Sequence, residues 1–324
     1  MTNIEMVVER VNQKASKSQG MPNCFRFSVA AVGETGAKLT IRVEKTGLKS
    51  GLRMVDPWLM TVVNTLRMES PERPITDICV WFLTEPKHAD LESFCRRLSY
   101  LAINNDWQAT IIVEGQTKTN CRVYPDMDSL LDRPTDEVVR EECDERHDNS
   151  DTDGKIEKQL QTWLAGERRS DNERLAILGP DFICGKRHRV IREFPTGSFR
   201  GSKSGDNRIL PTYWVDFVTL NKCRELAIIE LKVNDSKLDV LAQALDYALF
   251  FSCYRQQLTK QLSRDLSCPV APTTEIACYI ASNCFHPKFP EVSEFYSPRS
   301  KKWRFVLKQC ELGRITTLTS KTIS

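Results

Sequence analysis

Nowhere in this 324-residue chain does an apolar run approach the roughly 18 residues that span a bilayer, so no transmembrane helix is expected. The opening stretch, MTNIEMVVERVNQKASKS, has neither the apolar core nor the small-residue cleavage site of a secretory signal. No CxxC pair occurs among the twelve cysteines, and most lie inside apolar runs, such as Cys79 in DICVWF and Cys278 in IACYIA. A buried free cysteine behaves as a small hydrophobe, so reduced thiols in a cytoplasm are expected. The spacing of Cys268, Cys278 and Cys284 is too loose to favour a metal cluster. No internal repeat or extended low-complexity tract is visible.

What the chain does have is charge asymmetry. Its overall net charge is +3. Residues 1–125 hold 16 basic and 13 acidic residues, residues 126–154 hold 3 and 12, and residues 155–324 hold 27 and 18. The last segment is therefore basic, as a phosphate-binding domain would be, although many ordinary domains are equally basic. The acidic stretch PTDEVVREECDERHDNSDTDG is poor in apolar residues and reads as a solvated linker or a frayed helix. The expected organisation is a small α/β domain over 1–130, an acidic linker over 131–154 and a second α/β domain over 155–324.

Before the linker, a helix is expected over 3–16, strands in CFRFSVAAV and KLTIRVEK, a helix over 55–68, a strand in DICVWFLT, a helix over 89–103, and a hairpin from ATIIVEG and TKTNCRVY. That region has no catalytic motif, and its single histidine, His88, reads as a surface loop residue. After the linker, KIEKQLQTWLAG has the spacing of an amphipathic helix. A short helix is expected over 171–178, a strand over 186–194 and a Gly/Ser-rich basic loop over 197–208. YWVDFVTL and ELAIIELKV form a hairpin about NKCR, followed by a helix over 238–258 with Asn234–Asp235–Ser236 as its cap. Strands at 275–282 and 303–309 complete the pattern.

The hairpin draws attention because its strands are apolar yet charged. Alternation places Glu230 and Lys232 on one face and Leu231 on the other. Asp216 interrupts the neighbouring strand and, in a regular hairpin, sits beside Glu230. Buried charges are costly unless paired or metal-bound, and adjacent carboxylates repel unless a proton or cation lies between them. Mg²⁺ suits such oxygen donors, with the Leu231 carbonyl as a further ligand. On the following helix, Gln243 and Tyr247 are four residues apart and share a face.

Taken together, Asp216, then Glu230-Leu231-Lys232, then Gln243-x3-Tyr247 resembles the PD-(D/E)XK nuclease superfamily, in its RecB-like branch with a QxxxY motif. The likeness covers about half of the chain. It implies a restriction-endonuclease-like domain, a central mixed sheet flanked by helices, that cleaves DNA, less often RNA, with Mg²⁺ or Mn²⁺. It also implies an acidic residue on the first helix near the metal, for which Glu157 is the candidate. In that scheme Asp216 and Glu230 hold the metal with Glu157 assisting, Lys232 positions or activates the attacking water, and Gln243 and Tyr247 bind phosphate or orient Lys232. Val215 stands where the family's name suggests proline; a literal Pro180–Asp181 lies upstream and reads as a turn.

A lone ExK is weak evidence, and a second one, Glu85-Pro86-Lys87, reads as a turn. Arg200, Lys203 and Arg208 are candidates for tracking a nucleic-acid backbone, weighed equally against a solvated loop; Lys301, Lys302 and Arg304 carry the same ambiguity. A strand role is favoured for His188, and core roles for Trp107, Trp163 and Trp303. The alternative to a nuclease is a catalytically inactive module of the same fold that binds nucleic acid or a protein. Substrate recognition, homodimerisation and partner binding are all open to the N-terminal domain. The acidic linker is a candidate autoinhibitor lying across the basic nuclease face.

Overall fold

A computed structural model of the chain describes every residue except 1, 16–20, 46–50, 115–122, 132–137, 141–155, 167–171, 184–188, 205–207, 211–213, 313–317 and 323–324. It is a mixed α/β protein with two mixed sheets flanked by helices. The chain divides into two compact units. One comprises Met1–Asp132, Lys237–Gln243 and Pro287–Tyr296; the other comprises Arg133–Ser236, Ala244–His286 and Ser297–Ser324.

The first unit runs α1 (Asn3–Ala15), β1 (Phe25–Val32), β2 (Gly36–Val43), α2 (Val55–Glu69), β3 (Ile75–Phe82), α3 (His88–Asn105), β4 (Gln108–Val113) and α4 (Met127–Leu131). Its strands lie in the order β1-β2-β3-β4. The β1–β2 hairpin is antiparallel, and β3 and β4 join in parallel after the helical crossovers α2 and α3. The period-two pattern decides the buried face: Leu39, Ile41 and Val43 on β2, and Ile78, Val80 and Phe82 on β3, are all buried. Gly36 permits the close approach of β3, since a Cβ there would lie 2.7 Å from Thr76 Oγ1.

A helix from far along the chain, Phe289–Tyr296, completes this unit and was not expected from the sequence. It is tied in by a buried polar network. The Arg97 guanidinium donates to both oxygens of Asp56 at 2.9–3.2 Å and to the Leu52 carbonyl at 3.1 Å. The Tyr296 hydroxyl donates to Asp56 at 2.8 Å, and Tyr100 donates to the Tyr296 carbonyl at 2.8 Å. Asp56 and Arg97 are both fully enclosed, a burial that each tolerates only through the other.

The second unit contains β5 (Val138–Arg140), α5 (Ile156–Ala165), β6 (Ile191–Pro195), β7 (Ser198–Arg200), β8 (Arg208–Leu210), β9 (Trp214–Leu220), β10 (Leu226–Lys232), the later part of α6 (Asp239–Cys253), α7 (Arg255–Asp265), β11 (Ile276–Ser282), β12 (Phe305–Leu312) and β13 (Leu318–Thr322); α8 is the Phe289–Tyr296 helix already placed. Six strands form one mixed sheet in the order β13-β12-β11-β10-β9-β6. The β9–β10 pair is antiparallel, as the hairpin reading required, while β10, β11 and β12 run parallel. One sheet face carries an apolar cluster: Phe217, Ala227, Ile229, Leu231, Ala277 and Tyr279 pack with Leu164 of α5 and with Leu175, Leu178 and Phe182.

Several expectations are corrected. The helix expected over 238–258 is two helices, α6 and α7, separated at Tyr254. Asn234 adopts a left-handed conformation (φ 57°) and exchanges 2.8 Å hydrogen bonds with Asn283, tying the loops after β10 and β11, while α6 starts only at Asp239. The region read as a basic loop holds two short strands, β7 and β8, paired with each other. Val138–Arg140, inside the acidic stretch, is a strand on β7, where Val139 faces Phe199. The other residues of that stretch from 134 to 154, the 115–122 half of the expected hairpin and His188 lie outside the described residues. The strand expected from 186 begins at Ile191, and 172–178 is a 3-10 rather than an α-helix. All nine described cysteines are free, and no helix among the described residues is long and apolar enough to cross a membrane.

Removing the Arg97 side chain strands the Asp56 charge, so Arg97→Ala should cost about 3–5 kcal/mol. Tyr296→Phe loses one hydrogen bond and should cost about 0.5–1.5 kcal/mol. Urea denaturation of both variants checks this; equal losses would show that the ion pair is not what the network depends on.

Candidate active site

The sheet parts between β9 and β10. Their ladder pairs Val218 with Ile228 and Phe217 with Ile229 and goes no further, although β9 continues beside β6 and β10 continues beside β11. Asp216 and Glu230 are the next residue on each strand. They lie two positions beyond the facing pair Val218–Ile228, so alternation puts both on the same face. Where the ladder stops, the Leu231 amide has lost its strand partner, and an Asp216 carboxylate oxygen accepts its hydrogen bond at 2.6 Å. A side chain thus takes over the acceptor role of a backbone carbonyl, which a buried N–H requires.

The carboxylates are deeply set: Asp216 is 8 % exposed and Glu230 2 %. Lys232, two residues past Glu230, places its ammonium 2.5 Å from Glu230 Oε1 and is the more open of the two, with 18 % of its side chain exposed. Burial, and then the charge of Glu230, push the Asp216 carboxyl well above the usual carboxylate range, against the opposing effects of Lys232 and the Leu231 amide. Burial pulls the Lys232 ammonium down, but Glu230 and Asp216 outweigh it and hold its pKa above the ordinary lysine value. Lys232 is therefore a firmly protonated cation.

Helix α5 closes the site from one side. Its inward face buries Leu164 and Ala165, and Glu157 and Gln161, one turn apart on that same face, turn towards the strand ends. Glu157 accepts a hydrogen bond from the Val233 amide at 3.2 Å, and its charge acts on both Asp216 and Lys232. Gln161 Nε2 donates to Asp216 Oδ1 at 2.7 Å. Sequence reasoning overlooked Gln161; the signal was its position four residues after Glu157 and one turn before Leu164 and Ala165, which puts it on the inward face of α5.

The helix pair named from the sequence sits on α6, where Gln243 and Tyr247 are both buried. The Tyr247 hydroxyl donates to the Trp214 carbonyl at 3.0 Å, which anchors β9 two residues before Asp216. Arg200 and Arg208 are on the paired strands β7 and β8, with side chains outside the described residues, and Lys203 is exposed in the turn between them. Trp303 is buried as expected, but Trp163 is 47 % exposed, with the Arg174 guanidinium over its ring at 5.5 Å, so the core reading of Trp163 is corrected.

The literal Pro180–Asp181 forms a 3-10 turn. Asp181 accepts hydrogen bonds from Tyr279 at 2.9 Å and Lys308 at 2.6 Å, which together overcome the effect of burial and lower its pKa. Its charge is met within the fold, as a structural carboxylate's should be.

Among the described residues, no three His, Cys, Asp or Glu side chains group as a ready metal cage. The donors that do converge are hard oxygens: Asp216 and Glu230, with the Glu157 carboxylate close enough for its charge to be felt by Asp216. That set fits Mg²⁺ or Mn²⁺, ions that retain water ligands and bind through one or two carboxylates. No protein-family profile, curated protein or solved structure matches the chain.

The raised Asp216 pKa gives a pH signature. Between the unfolded value, about 4, and the higher folded value, the folded state binds the extra proton, so stability falls as pH rises through that window. Asp216→Asn removes the titration, and a flipped Gln161 amide can still pair with it. In EDTA the variant should match wild type near pH 4–5 and melt higher at pH 8, by about 2–4 °C for each kcal/mol recovered. A melting difference that stays constant with pH would contradict the assignment.

Proposed function

We propose that the second unit is a restriction-endonuclease-like domain of the PD-(D/E)XK type and that the protein is a metal-dependent nuclease hydrolysing phosphodiester bonds, DNA foremost. The observation that supports this best is the convergence of Asp216, Glu230 and Lys232 at the point where β9 and β10 part. An apolar strand pair has no structural need of two adjacent acids; burial, and then the charge of Glu230, raise the Asp216 pKa.

In this reading Asp216, Glu230 and the Leu231 carbonyl hold a divalent cation, with Glu157 assisting. When bound, such an ion polarises a phosphate oxygen and lowers the pKa of water. The protein's own groups supply the rest. Lys232 orients or activates the attacking water and contributes positive charge against the charge growing on the phosphate. The buried surroundings strengthen that interaction, because little water screens it. Tyr247 contributes by anchoring the backbone that carries Asp216. We assign Lys203, with Arg200 and Arg208, to the nucleic-acid backbone.

A second reading, an inactive nuclease-fold module, is favoured by one observation: the Glu230 charge already has a direct partner in Lys232. The two readings separate on a cleavage assay with plasmid and single-stranded DNA in Mg²⁺ or Mn²⁺. Asp216→Ala and Lys232→Ala should each lower the rate by at least about 10²–10³ while keeping the wild-type circular dichroism spectrum. Equal cleavage by all three proteins would dismiss the catalytic reading.

A further inference from the structure

Asp216 is held by two donors of different kinds. One is the Leu231 amide, part of the strand itself; the other is the Gln161 side chain, brought in from α5. We propose that Gln161 is a positioning residue for the metal centre, fixing the plane of the Asp216 carboxylate so that Asp216 and Glu230 can share one hard divalent cation. This inference rests on the metal-dependent reading above.

A single hydrogen bond to Oδ2 leaves the carboxylate free to turn about its terminal bond, a torsion with broad, shallow preferences. A second donor on Oδ1 removes that freedom. The Gln161 side chain is nearly enclosed, at 7 % exposure, and an amide left unsatisfied there costs about 1–3 kcal/mol, so the bond to Asp216 is strongly kept. The helix that supplies it is itself pinned one turn earlier, where Glu157 accepts from the Val233 amide at 3.2 Å. Helix α5 therefore grips the end of β10 at one point and the Asp216 carboxylate at another.

The choice of an amide matters. A lysine or arginine at 161 would neutralise the acids and compete with a bound cation. A carboxylate would add repulsion to an already strained pair. An uncharged donor orients Asp216 and leaves its charge available, which is what outer partners of metal-ligating carboxylates do.

The test is Mn²⁺ binding to the full-length protein without nucleic acid, followed by calorimetry and by the electron paramagnetic resonance signal of the free ion. The variants are Gln161→Met, which keeps the length but not the donor, Gln161→Leu as a second apolar replacement, and Asp216→Asn. Gln161→Met should weaken Mn²⁺ binding by about 10-fold or more, with its circular dichroism spectrum unchanged, and should raise the Mn²⁺ concentration needed for half-maximal cleavage in parallel. Gln161→Leu should behave alike, so that poor folding of either variant leaves the other to decide. Wild-type Mn²⁺ affinity in the folded glutamine variants, beside weakened binding in Asp216→Asn, overturns this inference alone. Wild-type affinity in Asp216→Asn as well overturns both it and the metal-centre reading.

Discussion

A β-ladder that stops leaves backbone groups that still need partners, and the candidate site of this protein is built on one such ending. Beyond Phe217 and Ile229 the strands β9 and β10 no longer pair, and the Asp216 carboxylate accepts the hydrogen bond of the Leu231 amide. That one bond sets the height of Asp216 relative to β10. Glu230 and Lys232 follow from strand alternation, because they flank Leu231, whose side chain is committed to the apolar face. A continuous ladder would have left no gap for a carboxylate, and strands parting earlier would have separated the two acids.

The electrostatics follow from the same geometry. Asp216 and Glu230 are nearly enclosed, so each feels the other with little screening, and the lysine between them and solvent is held protonated by both. Elsewhere the same chain treats buried charge differently. Asp56 is matched by the Arg97 guanidinium, and Asp181 by Lys308 and Tyr279. Those acids are satisfied by strong donors and hold elements together. The Asp216–Glu230 pair instead sets two buried acids side by side, with the Lys232 ammonium, the Gln161 amide and the Leu231 N–H among their donors.

Short motifs taken one at a time misdirect. Pro180–Asp181 has the lettering of a nuclease signature and forms a 3-10 turn bonded to the sheet by Tyr279 and Lys308. Glu85-Pro86-Lys87 has the lettering of ExK and lies in the connection between β3 and α3. Asp216 lacks the preceding proline and nevertheless stands beside Glu230. What separates them is strand context: an acid inside an apolar strand has few reasons to be there, whereas an acid in a turn has many.

The sequence alone determined the local order of most elements, since period-two alternation and helical spacing are written in consecutive residues. The β9–β10 hairpin, the shared face of Glu230 and Lys232, and α5 with Glu157 on it were all legible for that reason. Tertiary structure alone decided what depends on partners distant in the chain. The β9–β10 ladder ends while β9 goes on beside β6 and β10 beside β11, strands distant from the hairpin in the chain. The bond from Gln161 to Asp216 spans 55 positions, and the Phe289–Tyr296 helix is placed by an ion pair more than 190 residues upstream. The polar side chains of an amphipathic helix look alike in one dimension, and only packing shows which of them solvent takes and which a carboxylate takes.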